Sequence, residues 1–225
     1  MASLPAESLT LDVDGKARVS GLLMLPTNAH TLYVLAHGAG AGMKHAFMGA
    51  ISDALAAVGV GTLRYQFPYM EQGAKRTDPP ALCHATVRAA VTEGVRRAPG
   101  MRLVAGGKSF GGRMTSQAQA LAPLPEVRGL VFLGFPLHPA KKPATDRAKH
   151  LFDVKVPMLF LQGTRDELAD LALLEPLTGE LGERATLKKI EGADHSFHVL
   201  AKSGRKDADV VRELAGMTSE WAIAR

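Results

Sequence analysis

MRLVAGGKSFGGRM, residues 101–114, is the stretch on which the reading of this chain turns. Residues 101–106 read as a strand, residues 110–121 as a helix, and Gly107-Lys108-Ser109-Phe110-Gly111 lies at the junction. A G-x-S-x-G pentad in that setting forces a sharp turn that lifts the serine Oγ clear of the sheet, at the C-terminal end of the strand. The serine backbone must then be strained. Glycines two places before and two after it remove side chains that would clash across the turn. The helix that follows points its N-terminus at the serine and favours negative charge there. Ser109 is therefore the candidate nucleophile.

Outward from this turn, the chain alternates strands and helices. Toward the N-terminus, residues 8–14 and 17–25 read as an antiparallel hairpin around Asp14-Gly15. Residues 31–36 (TLYVLA) are apolar on both faces, as a buried parallel strand requires. Helix 43–58 presents Phe47, Ile51, Leu55 and Val58 on one side. Strand 60–66 and helix 79–98 follow, the helix opened by a double proline and closed by Pro99-Gly100. Toward the C-terminus come strands 130–134 and 157–162, helix 168–181, strand 185–190 and helix 207–223. Residues 136–156 read as a loop with a short helix, too short for a separate lid domain. The expected fold is a three-layer α/β arrangement in one domain, 1–225, with a mostly parallel sheet, an N-terminal antiparallel hairpin and no large lid.

Two nucleotide-binding readings fail. A P-loop needs a glycine five places before Gly107, and Arg102 stands there. Gly38-Ala39-Gly40-Ala41-Gly42-Met43 lacks the third glycine of a dinucleotide fingerprint.

A serine needs a histidine to take its proton and an acid to hold that histidine. Strand 157–162 runs into Gly163-Thr164-Arg165-Asp166-Glu167, and Asp166 is the first acid beyond it. Glu167 and Asp170 are alternatives, both expected at a helix start, where acids are favoured for the helix dipole alone. Strand 185–190 runs into Glu191-Gly192-Ala193-Asp194-His195, which brings His195 to the same edge as the candidate base. His198 reads as a packing or surface histidine. His30, His45, His84 and His150 read as structural or exposed, and the His37 ring as a brace for its own loop. His138 follows a strand and stands equally for the cleft or a plain loop role.

Acyl transfer also needs two N–H donors for the oxyanion. Phe110 should supply one. Ala39, in the small-residue loop His37-Gly38-Ala39-Gly40, should supply the other, with Gly40 as the neighbour that could replace it and close enough to meet substrate.

The 225 residues include 46% hydrophobic and 22% charged, as in a soluble globular protein. The net charge of +5 raises the question of nucleic acid. The basic residues are scattered, with no run longer than Arg96-Arg97 or Lys141-Lys142, and aromatics are only 5%, so stacking platforms are scarce. Lys44, Arg64, Lys75, Lys108, Arg113 and Lys141 fall near the expected site and stand either for steering of acidic substrates or for solvated surface charge. A lone cysteine, Cys83, permits no internal disulfide. No ligand spacing indicates a metal, and the chemistry calls for no cofactor. The start MASLPAESLTLDVDG has no basic segment followed by an apolar run, and no stretch is long enough to span a bilayer, so a cytoplasmic protein is expected. The expected partner is a small-molecule acyl substrate, with neither nucleic acid nor membrane.

Together, HGAGAGMKHAFM, RYQFPYMEQG, GGKSFGGRM, FLGFPLHP, LQGTRDELAD and GADHSF resemble the α/β-hydrolase superfamily, in its small dienelactone-hydrolase-like branch. More narrowly, they are similar to small predicted hydrolases of the testis-expressed and non-specific-lethal-complex-subunit type. The likeness runs from about Thr31 to the C-terminus. It implies a catalytic Ser109, Asp166 and His195, and a cleft lined beside the nucleophile by Arg64, Tyr65 and Phe67. One departure stands out: dienelactone hydrolases use a cysteine nucleophile, and Cys83 lies in a predicted helix where it cannot substitute. The activity implied is cleavage of a small ester or thioester through an acyl-enzyme. The alternatives are acyltransferase or peptidase chemistry on the same residues, or a non-catalytic interaction module, since some relatives are binding subunits.

Overall fold

In the computed structural model, residues 4–225 are described. The first three positions of the expected domain and of its N-terminal segment lie outside them. One eight-stranded sheet runs through the molecule in the order β1-β2-β4-β3-β5-β6-β7-β8. Strands β1 (Glu7–Val13) and β2 (Ala17–Met24) form the antiparallel hairpin, and β2 joins β4 (Val60–Tyr65) antiparallel. From β4 onward all pairings are parallel, through β3 (Thr31–Ala36), β5 (Arg102–Lys108), β6 (Val127–Leu133), β7 (Met158–Gly163) and β8 (Ala185–Ile190).

Strand alternation divides the core in two. Leu32, Val34, Leu130, Phe132, Met158 and Phe160 face one side of the sheet. Tyr33, Leu35, Val131, Leu133, Leu159 and Leu161 face the other. Helices α3 (Pro80–Arg97), α4 (Phe110–Leu121) and α5 (Leu171–Leu181) cover the first face; α1 (Ala46–Ala57) and α6 (Asp207–Ile223) cover the second. Burial on both faces explains why the central strands read as continuous apolar runs. Each fully buried Leu or Phe contributes about 2 kcal/mol relative to exposure.

Four differences from the expected elements have local causes. Helix α1 begins only at Ala46, capped by the His45 ring, which accepts from the Phe47 N–H at 3.2 Å. Met43 is held instead by Gln66, whose Oε1 accepts its N–H at 2.7 Å. The buried face of α1 is Met48, Ile51, Ser52 and Leu55, and Val58 is exposed. Helix α5 starts late because Asp170 caps it, accepting from the Ala172 N–H. A single turn, α2 (Pro68–Glu71), opens on a proline in what reads as loop. Strand β6 begins three residues early, at Val127, where an exposed Arg128 and a buried Gly129 interrupt the apolar pattern. The connection of residues 134–157 carries only a 3-10 turn, Asp146–Asp153. No helix among the described residues is long and apolar enough to cross a membrane.

The chain leaves β3 toward β4 on one side, while β5 lies on the other. Between them is a switch point, where loops at the carboxyl ends of the strands diverge and leave a crevice.

Candidate active site

Ser109 sits beyond β5 at that crevice, with φ 49° and ψ −116°. This left-handed conformation is strained for a residue with a side chain. Its neighbours make it possible. A Cβ on Gly107 would stand 2.3 Å from the Ala36 carbonyl oxygen, and one on Gly111 would stand 2.5 Å from that of His37. The turn therefore presses against β3 and the loop after it, and only glycine fits on either side of the serine.

The acid comes from the turn after β7. Its side chain wholly buried, Asp166 is satisfied by three donors. Oδ1 accepts from the Leu168 N–H at 2.8 Å; Oδ2 accepts from His195 Nδ1 at 2.7 Å and from the Gln162 amide. A buried carboxylate is tolerable only when paired and hydrogen-bonded in this way. Glu167 is exposed, and Asp170 is used as the α5 cap.

The loop after β8 brings in the histidine. Asp194 closes that loop by accepting from the N–H groups of Ser196 and His198. With Nδ1–H given to Asp166, His195 Nε2 is left as an acceptor, 2.8 Å from Ser109 Oγ. The three residues singled out in the sequence thus form one continuous relay. His198 lies apart, exposed and paired with Asp207, which raises its pKa.

Facing Ser109 is the loop after β3. The Ala39 and Phe110 N–H groups have no partner among the described residues, and Ala39 lines the cleft. The Gly40 N–H donates to Tyr69 Oη at 2.9 Å. That bond occupies Gly40 and leaves Ala39 as the open donor. His37 braces the same loop from below. Its Nδ1–H donates to the Gly38 carbonyl at 2.7 Å, and its Nε2 accepts from the Phe67 N–H at 3.2 Å. Burial pushes its pKa down to about 4, so the ring is neutral.

A cavity of about 360 Å³ opens over Ser109, within the range of small-molecule sites. Phe47, Met48, Ala41 and Leu168 form apolar walls; His45 and Ser196 stand with them. Sequence reasoning missed these. His45, read as structural, both caps α1 and lines the cleft. Only the packing of α1 beside the serine brings Phe47 and Met48 to the cleft, and no local sequence signal announces it.

Five expected substrate contacts need correction. Arg64, Tyr65 and Phe67 are buried and absent from the cleft lining. Arg64 donates to the Met43 carbonyl. Phe67 packs edge-on between His37 and Phe110, with centroids 5.1 and 5.5 Å away, and Tyr65 lies against it. Strand β4 ends beneath the oxyanion-side loop, so its side chains support that loop instead of meeting substrate. Gly40 also lies outside the lining, turned to Tyr69. His138 is buried away from the cleft: its Nδ1–H donates to the Pro139 carbonyl and its Nε2 accepts from the Asp170 N–H, both at 2.9 Å. Of the six cations considered for steering, only Lys108 lines the cleft, and its amine is bonded to the His195 carbonyl. Cys83 is buried on α3, with its thiol pushed up to about 12 by burial, and is no nucleophile. No three His, Cys, Asp or Glu among the described residues are grouped to hold a metal ion.

Comparison with known proteins agrees with this architecture. Residues 29–223 match the family described as the alpha/beta hydrolase domain. A lidless a/b serine hydrolase from Xanthomonas campestris superposes with a TM-score of 0.76 at 22% identity, covering 98% of this chain and 97% of that one. Dienelactone hydrolase from Anabaena variabilis gives 0.78 at 21% identity, covering 99% of each. The esterase domain of a Rhodothermus marinus protein gives 0.72 at 17%, covering 96% and 97%. At these identities the likeness is one of fold.

Proposed function

Starting from a chain that belongs to the alpha/beta hydrolase domain family, we propose that it is a serine hydrolase cleaving a small ester or thioester through an acyl-enzyme. The observation that carries this reading is the relay from Asp166 through His195 to Ser109, at 2.7 and 2.8 Å, beside two unpaired N–H groups. His195 Nε2 takes the proton as Ser109 Oγ attacks the acyl carbon. Asp166 orients the ring and stabilises the imidazolium. The carbonyl oxygen, now negative, is held by the N–H groups of Ala39 and Phe110, aided by the N-terminus of α4. The tetrahedral intermediate collapses as His195 protonates the leaving alcohol or thiol. Water, deprotonated by the same ring, then releases the acid and restores Ser109. The cleft volume and its Phe47, Met48 and Leu168 walls favour a small apolar acyl group. Esterase and dienelactone hydrolase neighbours share the fold, and a serine in the nucleophile position favours ester substrates of the first kind. The motif set supports a place beside the testis-expressed and non-specific-lethal-complex-subunit type, within one hydrolase domain.

Ser109→Ala tests the reading directly. Turnover of p-nitrophenyl acetate should fall by a factor on the order of 10⁶, as when a nucleophilic serine is removed from a triad, and fluorophosphonate labelling should vanish. Unchanged turnover in that variant removes the mechanism. Folded wild-type protein that neither turns over esters nor takes up the probe would be an interaction module on a hydrolase scaffold.

A further inference from the structure

Lys108 lines the cleft and carries a charged group that the relay does not use. We propose that Lys108 is a positioning residue that holds the His195 loop against the nucleophile turn. The proposal rests on the serine-hydrolase reading for its kinetic consequences, and on geometry for the rest. The Lys108 side chain touches three loops. Its stem packs on the oxyanion-side loop, where a Cβ built on Gly38 would stand 3.5 Å from Lys108 Cγ. Its Nζ donates to the His195 carbonyl at 2.6 Å and lies 5.4 Å from the centre of the Phe197 ring. It also borders Gly134, where an added Cβ would stand 3.2 Å from Lys108 Nζ, 3.5 Å from Asp166 Oδ2 and 3.6 Å from His195 Cε1. Among the described residues, this bond and the Ser109–His195 pair are the hydrogen bonds that tie the histidine loop to the end of β5. A charged donor on a carbonyl is the stronger kind of bond. Displacing a catalytic ring by about 1 Å costs on the order of 10²-fold in rate, so the anchor matters in proportion.

The anchor carries a pH signature. Burial lowers the Lys108 ammonium to about 8, opposed by the carboxylates of Asp166 and Asp194. The titratable groups that face the ammonium are the Asp166 and Asp194 carboxylates and the His195 ring. Above pH 8 the amine is neutral and its bond to the carbonyl weakens, so turnover should fall through that pH. Arginine keeps its charge there.

The test compares wild type, Lys108→Met and Lys108→Arg over pH 6–10. In Lys108→Met, kcat at neutral pH should drop on the order of 10²-fold with KM within about twofold, and the fall near pH 8 should be absent. Lys108→Arg should recover most of kcat and also lose that fall. A second readout needs no turnover: the proton shared by His195 Nδ1 and Asp166 gives a far low-field NMR line. It should broaden or vanish in Lys108→Met and return in Lys108→Arg. An intact line and unchanged kcat in Lys108→Met, or an alkaline fall that persists in Lys108→Arg, overturns the proposal. If wild type hydrolyses no ester, the hydrolase reading fails by itself while the NMR line still decides the role of Lys108.

Discussion

Two buried imidazoles brace the loops around the site, His37 on the oxyanion side and His138 behind the acid turn, and they are wired alike. His37 donates Nδ1–H to the carbonyl of the next residue, Gly38, and accepts the Phe67 N–H at Nε2. His138 donates to the carbonyl of its own next residue, Pro139, and accepts the Asp170 N–H. What each brace holds is opposite in character. The His37 side is finished with neutral groups, the Tyr69 hydroxyl and the Phe67 ring, around a loop that ends in an open N–H at Ala39. The His138 side holds Leu168, whose N–H in turn pins the Asp166 carboxylate. One flank keeps a site for incoming negative charge; the other stores a negative charge against the imidazolium. His195 has the same tautomer as both braces. It differs because its Nδ1–H meets a carboxylate instead of a backbone carbonyl, and its Nε2 meets a hydroxyl. The partners, more than the ring, set which histidine is placed to take a proton from a hydroxyl.

The sharpest way to break the contrast is to remove the stored charge. Asp166→Asn keeps the shape of the side chain and can still accept from the Leu168 N–H. It cannot stabilise the imidazolium, and its amide donor favours the wrong tautomer of His195. We expect kcat to fall on the order of 10⁴-fold, with fluorophosphonate labelling slowed in step and the fold unchanged by circular dichroism. A loss of less than about tenfold would assign the acid elsewhere and make the two flanks equivalent.

The neutral flank has its own signature, in stability instead of rate. His37 titrates at about 4 in the folded protein because it is buried, against 6.5 for the free side chain. The unfolded chain therefore binds a proton on this ring at higher pH than the folded chain does. Stability from the neutral ring is complete above pH 6.5 and is lost as pH falls toward 4. At its full extent the loss amounts to about 3 kcal/mol. His150, lowered to about 4 by burial and by Arg113, adds to the same window. In urea titrations from pH 7 to pH 4.5, His37→Asn should show a visibly shallower loss of stability than wild type. An equal slope in both proteins would show that the ring is not held neutral.

How much of this could be read beforehand depends on how local the signal was. Ser109, Asp166 and His195 each follow a strand within a few residues, so strand ends alone carried them to one edge. The glycines beside Ser109 are equally local, because the clash they avoid is with the strand next door. Arg64, Tyr65 and Phe67 misled because they stand at the end of β4 and just beyond it, at that same edge. Strand alternation turns Tyr65 into the core on one face, with Phe67 against it, and Arg64 to the other, where it donates to the Met43 carbonyl. The missed walls, Phe47 and Met48, sit in the first turn of α1, and only the packing of that helix beside Ser109 brings them there. Nothing near Tyr69 in the chain announces that its hydroxyl will choose between Ala39 and Gly40.

That choice yields the smallest and most specific effect. Tyr69→Phe removes one oxygen and keeps the ring, and the Tyr69 N–H still donates to Asp78. The Gly40 N–H, on an exposed residue, is freed to water. The Ala39–Gly40 peptide then loses its fixed orientation, and the Ala39 donor is no longer aimed before the oxyanion forms. A preorganised donor acts in the transition state, so its loss should appear in kcat and leave KM within about twofold. We expect kcat to fall about tenfold, less than the 10²–10³ that follows outright removal of an oxyanion donor, because the N–H is loosened and not deleted. Labelling by fluorophosphonate, whose phosphoryl oxygen uses the same donors, should slow by the same factor at unchanged melting temperature. A variant with unaltered kcat would mean that the loop is held by His37 and the Phe67 cluster alone. Gly40, freed from Tyr69, would then compete with Ala39 for the oxyanion.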